Sequence, residues 1–274
     1  MAKSDDRRVK DFKEHKWENG YFYKLIVQEQ KSYEMPLLES TCTFLIGRRN
    51  TASLTDGFCD EDIYKAGIPQ INNFIETTIG SAQSKIMISV EKCLMTMKKG
   101  EVSYLALCIP DLLECNYSSD GSTDGDNGLR QSGLLFFCLI LKDFTNTKPT
   151  FELTVHEKYN LALQHKEKGK ELFQTEPELA FYKFGVAVKY LITIPTYSEV
   201  VFSLSGITPS EKEKYETLKC ICYLNLAACQ GIFQNHKGVI KNCTQALSIQ
   251  PSNLKGLYRR GKAYLAEGQD ENAR

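Results

Sequence analysis

Apolar residues follow two different periods along this chain of 274 residues. Up to residue 144 they form short runs, rich in aromatic and branched side chains and bounded by turn-forming residues. Such runs predict strands, and they are YFYKLIV (21–27), STCTFLIG (40–47), EVSYLALCI (101–109) and GLLFFCLILKDF (133–144). We therefore expect residues 1–150 to form an α+β domain with a mostly antiparallel sheet.

One helix is predicted between the second and third of these strands. Four apolar residues recur there at steps of four, four and three, which is the period of an amphipathic helix: Ile86, Val90, Leu94 and Met97. Two lysines and Gly100 follow, as is typical of a helix C-terminus. The segment 115–133 is rich in Ser, Asp and Gly, and we predict a long loop there.

Residues 151–274 carry the period of helices. Two helix starts are predicted where a threonine precedes a glutamate by three residues and a proline falls in the first turn. These segments are TEPE (175–178) and TPSE (208–211). Ser252 is a third candidate N-cap. We expect this half to be a separate, all-α domain.

An internal repeat runs through this second half. Asn225 and Arg259 lie 34 residues apart in aligned segments, as do Ala227 and Gly261. That period is typical of tetratricopeptide repeats, helix-turn-helix units that stack into a right-handed array with a groove lined by the first helix of each unit. An earlier unit includes Gly169, so 151–274 is predicted to hold about two and a half repeats. The third is truncated, and we expect a longer natural chain to complete it.

The charge balance excludes several classes of function. Lysine and arginine together count 34, and so do aspartate and glutamate, so we expect neither a general nucleic-acid binder nor a membrane protein. No signal-peptide core or bilayer-spanning run is visible. The ten cysteines are then expected to be buried thiols in the cytoplasm, with the nucleus as a second location.

The sequence lacks the common catalytic and metal-binding motifs. G-x-x-x-x-G-K-[ST], H-E-x-x-H and G-x-S-x-G do not occur, and the four histidines have no metal-ligand spacing. Cys220 and Cys222 lack a second pair of zinc ligands. The acidic run DGSTDGDNG (120–128) lacks the closing glutamate of a calcium loop. We expect no cofactor and no bound metal.

The cations in SNLKGLYRRGKAY (252–264) allow two interpretations. Lys255 and Arg259 lie one helical turn apart, so they share a face. That face is either a solvated basic edge or a surface that binds an anionic ligand.

Several segments of the second half resemble the tetratricopeptide region of FKBP-type immunophilin cochaperones, over residues 157–274. They are HKEKGKELF, YLNLAACQ and ALSIQPSNLKGLYRRGKAYLAEGQ. The first half is similar, more weakly, to the FKBP-type isomerase domain, through YFYKLIV, VEKCLMTMKKGEVSYLAL and LLFFCLILKDF. The resemblance implies an FKBP-like domain followed by a repeat array.

In that family the repeat groove forms a carboxylate clamp for the acidic C-terminal tail of the ninety-kilodalton heat-shock chaperone. The resemblance places the clamp on Lys166, Lys170, Asn225, Lys255 and Arg259, with Lys170 at a position that is often asparagine. Lys, Arg and Asn supply the donors that a free carboxylate requires. The tail of the seventy-kilodalton chaperone is a second candidate, another acidic tail a third, and the client is unknown. Arg260 is expected to be structural or solvated.

The isomerase half departs from the family at its pocket. Active members place a tryptophan at the start of the helix, where this chain aligns Val90, and the only tryptophan, Trp17, is expected before the first strand. The pocket candidates Asp60, Phe58 and Tyr117 fit only loosely. Because prolyl isomerisation depends on a shaped apolar pocket, we expect a non-catalytic cochaperone adaptor and no catalytic residues. The alternative is an active peptidyl-prolyl isomerase that its repeats target to chaperone clients.

Overall fold

The computed structural model describes residues 13–17, 20–48, 74–108, 134–195 and 206–269. Contacts between Cα atoms divide the chain into two compact units, Met1–Thr147 and Lys148–Arg274.

The N-terminal unit contains a sheet whose described strands number six and pair antiparallel throughout. They are β1 (Lys13–Trp17), β2 (Gly20–Gln28), β3 (Thr41–Arg48), β4 (Phe74–Thr78), β5 (Val102–Cys108) and β6 (Leu134–Thr145). Their order in the sheet is β1-β2-β5-β6-β3-β4. The four predicted strands are confirmed as β2, β3, β5 and β6. The sequence missed β1 and β4. Trp17 precedes the first predicted strand, which is β2, as expected, but it ends the missed strand β1.

The predicted helix is confirmed as α1 (Lys85–Leu94), which Ser84 caps by accepting a hydrogen bond from the Met87 N–H. It presents Ile86, Val90 and Leu94 to the core. The helix is shorter than predicted, since Met97 lies beyond its end, although that side chain is fully buried. Gly100 forms the turn into β5, where its φ of 78° favours glycine.

A buried ion pair joins the sheet to the segment after α1. Lys24 Nζ lies 2.7 Å from Glu101 Oε1, and the two side chains are 3% and 1% exposed. Lys24 also donates to the Thr96 carbonyl, and Glu101 accepts hydrogen bonds from Ser103 Oγ and the Lys98 N–H. Because both charges are hydrogen-bonded as well as paired, the pair can persist without water.

The C-terminal unit contains helices that each pack on the next along the chain. The described ones are α2 (Val155–Leu172), α3 (Pro177–Leu191), α4 (Pro209–Ile232), α5 (His236–Ile249) and α6 (Leu254–Ala266). They form two helix pairs and the first helix of a third. An antiparallel sheet with one described helix, followed by a helical array, is the predicted fold class, which is confirmed.

The helix starts match the predicted caps in part. Thr208 and Glu211 form a reciprocal capping box at α4, as predicted. A second box, Thr154 with Glu157, begins α2 and was missed. Thr175 is not a cap, because α3 begins at Pro177 with Glu176 in the cap position. Asn253, not Ser252, caps α6 by accepting from the Gly256 N–H.

Close packing explains the small residues of the repeat unit. A Cβ added to Gly169 would lie 2.7 Å from Cε1 of Phe184, so α2 and α3 approach too closely for a larger residue. Ala227 packs with Val239, Cys243 and Ala263 in one buried cluster. The Cys220/Cys222 pair is also buried as free thiols, and burial raises the pKa of Cys222 to about 12.

Candidate functional site

The five predicted clamp residues lie on the first helix of each helix pair. Lys166 and Lys170 are on α2, Asn225 is on α4, and Lys255 and Arg259 are on α6. α4 contacts both α2 and α6. The three first helices are therefore neighbours, and a surface that runs across them can collect donors from all three.

Arg259 is anchored against the middle helix of this surface. Its Nη1 donates a hydrogen bond of 3.0 Å to the carbonyl oxygen of Leu224, the residue before Asn225. The side chain is half-buried. Burial raises the pKa of Cys229 to about 12, and the Arg259 charge opposes that rise, so the guanidinium lies close to the packed side of α4. The structure thus places the Arg259 guanidinium beside the backbone position of Asn225.

Lys166 is largely buried on α2. Its side chain is only 18% exposed, and its charge opposes the rise that burial causes in the pKa of Cys222, a residue of α4. Lys166 Nζ also pairs with Glu167 Oε1 at 2.6 Å. That hydrogen bond, with the Lys166 charge, lowers the pKa of the Glu167 carboxyl below its ordinary range. Lys166 thus already binds one carboxylate through its ammonium group, and a ligand carboxylate could bind there in the same way.

The other predicted residues differ in exposure. Lys170 and Lys255 are exposed, whereas Asn225 is half-buried. No hydrogen bond within the described part of the chain joins these three to each other. The structure therefore brings Arg259 next to Asn225 and buries most of the Lys166 side chain. For Lys170 and Lys255 it shows only which helix carries each residue and that both are exposed.

Two contacts of this surface were missed by the sequence analysis. The rings of Tyr159 on α2 and Tyr215 on α4 lie 5.1 Å apart at an angle of 52°, an aromatic contact between the first two of the neighbouring helices. The Leu224 carbonyl was missed because a backbone acceptor carries no residue-type signal. The two tyrosines do not occupy equivalent repeat positions, so the repeat alignment could not pair them.

The predicted pocket differences of the N-terminal unit are only partly described. Val90 is fully buried, and it is the sixth residue of α1, so it does not lie at the start of the helix, where the resemblance places the tryptophan of active members. Phe58, Asp60, Tyr117 and the loop 115–133 lie outside the described residues.

Neither a metal site nor a membrane span is found in the parts of the chain that the structure describes. No group of three or more His, Cys, Asp or Glu side chains there could hold a metal ion. Among the same residues, no helix is long and apolar enough to cross a bilayer.

Comparison with known proteins identifies relatives of both units. No family model matches the chain. It is 29% identical over 259 residues to "FK506-binding protein-like" of Mus musculus, covering 93% of this chain and 59% of that protein. It is 28% identical over 200 residues to "Peptidyl-prolyl cis-trans isomerase FKBP4" of Bos taurus, covering 72% and 40%. The chain thus spans less than two thirds of either relative.

A solved structure shows a shared fold. Residues 1-211 of CG17282 superpose with a TM-score of 0.54 at 20% identity, covering 82% of this chain and 96% of that one. Because the identities to the two kinds of curated relative are nearly equal, they do not single out either one as the counterpart of this chain.

Proposed function

Because this chain is similar to FK506-binding-protein-like proteins and to peptidyl-prolyl isomerases of that family, and its second unit has the period of tetratricopeptide repeats, we propose that it is a non-catalytic cochaperone adaptor of the FKBP immunophilin type. Its repeat groove binds the acidic C-terminal tail of the ninety-kilodalton heat-shock chaperone, and the tail of the seventy-kilodalton chaperone is a second candidate. Its FKBP-like unit contacts a client or another partner. The adaptor acts in the cytoplasm and the nucleus, without binding nucleic acid or membranes.

The observation that carries this proposal is the anchored guanidinium of Arg259. One N–H is committed to the Leu224 carbonyl, which holds the rest of this planar group beside Asn225. An arginine fixed in this way loses little side-chain entropy when it binds a carboxylate, and it can bind bidentately. Asn225 adds an amide donor. A peptide whose chain ends at this point presents the carboxylate that these donors fit.

The lysines supply the rest of the positive charge. Lys166 already holds the Glu167 carboxylate, and a peptide carboxylate with more donors around it would displace that exposed side chain. Lys170 and Lys255 lie on the two outer helices of the surface, and both are exposed. Exposed cations attract an acidic tail over a distance that depends on salt, so they accelerate its association.

Peptide binding tests the clamp. A labelled Glu-Glu-Val-Asp peptide should bind the chain. Amidation of its C-terminus should weaken binding about tenfold or more, because the two partly buried cations of the clamp, Arg259 and Lys166, then lose a charged partner. A Lys255→Ala/Arg259→Ala variant should lose binding to a similar extent. The matched control, Lys189→Ala/Lys237→Ala, removes the same charge from the second helices and should bind as the wild type does. Equal binding by the amidated peptide would exclude a carboxylate clamp.

The absence of isomerase activity is a separate part of the proposal. Val90 stands where the family resemblance puts the pocket tryptophan, and its side chain is fully buried, so it offers no ring to a prolyl substrate. Catalysis of this reaction requires a pocket that favours the twisted amide. A proline-peptide isomerisation assay should show little or no rate above background. Robust catalysis that an immunophilin drug inhibits would favour the active isomerase instead.

A further inference from the structure

Helix α6 carries a third groove-side cation that the clamp does not use. Lys262 follows Arg259 by three residues and Lys255 by seven. Seven residues are almost two helical turns, so Lys255 and Lys262 differ by only about 20° around the helix axis. Both are exposed, and Arg259 lies between them along the helix. Lys262 therefore extends the clamp face of α6 by one turn toward its C-terminus.

The repeat register gives Lys262 a counterpart on the opposite side of the surface. Lys262 directly follows the small residue of its repeat, as Lys170 and Ala228 do in the first and second repeats. Those small residues are Gly169, Ala227 and Gly261. Equivalent repeat positions lie at equivalent heights on neighbouring first helices. Across α2, α4 and α6 the row thus reads lysine, alanine, lysine, with a small side chain between two cations.

Within the described residues, the cations of α6 have no carboxylate partners. Its residues Leu254–Ala266 include Lys255, Arg259, Arg260 and Lys262 and no acidic residue. Within the part of the chain that the structure describes, none of these four takes part in an ion pair. On α2, by contrast, Lys166 pairs with Glu167 and Lys168 with Glu171. A helix with four cations and no internal partner is suited to an anionic ligand.

We propose that Lys262, with Lys170 across the groove, forms a second anion subsite that binds an acidic side chain of the tail upstream of its C-terminal residue. This inference rests on the proposed clamp, which fixes the C-terminal carboxylate and so sets the register of the peptide. Ala228 holds the equivalent position on α4, and its small side chain would not block a glutamate there. The chain then selects tails that combine a free C-terminus with acidic residues before it.

A mutant cycle between protein and peptide tests this subsite. Lys262→Gln should weaken binding of labelled Glu-Glu-Val-Asp by about threefold to fivefold, the size expected of an exposed charge pair. The same substitution should leave binding of Gln-Gln-Val-Asp unchanged, because that peptide has lost the partner. Lys262→Arg should bind both peptides as the wild type does. Added salt should reduce the difference between the peptides.

Two controls distinguish the subsite from the clamp and from a general electrostatic attraction between the protein and the peptide. Lys237→Gln removes an exposed charge from α5 and should change neither affinity. If Lys262→Gln weakens both peptides equally, or neither, while amidation still abolishes binding, the second subsite is excluded and the clamp remains. If amidation has no effect on the wild type, the clamp itself is excluded and the subsite with it. Circular dichroism of each variant checks that the repeat fold is unchanged.

Discussion

Two sets of charged residues, one in each unit of this chain, differ in their exposure to solvent. In the FKBP-like unit, Lys24 and Glu101 are almost completely buried and hydrogen-bonded to each other and to the backbone. In the repeat unit, Lys170, Lys255 and Lys262 are exposed, and Arg259 is only half-buried. A buried, fully paired charge cannot meet a ligand and contributes to stability, whereas an exposed cluster of one sign contributes little to stability and can attract a partner. The two units are similar to the same family, but these two sets of charges differ in whether they are accessible to a ligand.

The largest effect should come from breaking the buried pair. Lys24→Met leaves the Glu101 carboxylate without its cation at a site that is 1% exposed, which should destabilise the FKBP-like unit by about 3 kcal/mol. The only tryptophan, Trp17, belongs to this unit. Its fluorescence in urea should therefore report a lower midpoint, while the circular dichroism of the repeat helices should keep its own transition.

An exposed pair of the same unit supplies the control. Lys98 Nζ lies 3.0 Å from Glu29 Oε1, and the Glu29 side chain is 68% exposed. Glu29→Gln should therefore lower the free energy of unfolding by less than about 1 kcal/mol. A Lys24→Met/Glu101→Leu variant should recover much of the lost stability, because it leaves no unpaired charge. If Lys24→Met and Glu29→Gln had equal effects, the contrast between buried and exposed charge would not hold.

The second effect concerns the packing of the repeat unit. Gly169→Ala would place a methyl group 2.7 Å from Phe184 Cε1, and this overpacking should destabilise the array by about 2 kcal/mol. Gly185→Ala is the matched control on the neighbouring helix, since its Cβ would meet nothing within 4 Å. It should be neutral or stabilise by up to about 1 kcal/mol through helix propensity. Thermal unfolding followed by far-UV circular dichroism measures both, and a similar shift in both variants would show that propensity, not contact, decides.

The sequence predicted the helices of the repeat unit more completely than the strands of the N-terminal unit. The repeat helices and the Thr208 cap were predictable because their signals lie within a few residues of each other. The two missed strands, β1 (KEHKW) and β4 (FIETT), are the two edges of the sheet. An edge strand has one partner and tolerates charged side chains, so neither carries a clear apolar pattern. Thr175 has the sequence pattern of an N-cap, but its hydroxyl donates instead to the Leu172 carbonyl of the preceding helix.

The candidate site was predictable only as a set of residue types. The repeat spacing aligned Asn225 with Arg259, and the family resemblance added Lys166, Lys170 and Lys255. The hydrogen bond from Arg259 to the Leu224 carbonyl depends on how α6 packs on α4, which no local pattern determines. For the same reason, the contact between Tyr159 and Tyr215 could not be read from the sequence.

A smaller change in stability should distinguish the confirmed N-cap, Thr208, from Thr175, which was predicted to be an N-cap and is not. Thr208→Ala removes the hydroxyl that accepts from the Glu211 N–H at the start of α4, and should destabilise the repeat unit by about 1 kcal/mol. Thr175→Ala removes a hydroxyl that caps no helix, so it should cost less than about 0.5 kcal/mol. Thermal unfolding of the two variants gives the comparison. Equal losses would mean that Thr175 stabilises α3 in a way that the static cap geometry does not show.

The smallest effect is a dependence of repeat stability on acid. Hydrogen bonds from the Thr208 side chain and backbone lower the pKa of the Glu211 carboxyl below its ordinary value of 4.5, and those from Thr154 do the same for Glu157. Since the folded pKa values are depressed, the stabilisation is complete above pH 4.5 and is lost as the pH falls through the folded values. Glu211→Gln should therefore reduce the loss of helical stability as the pH falls below 4.5. An unchanged pH profile in this variant would mean that the Glu211 carboxylate contributes nothing to the capping box.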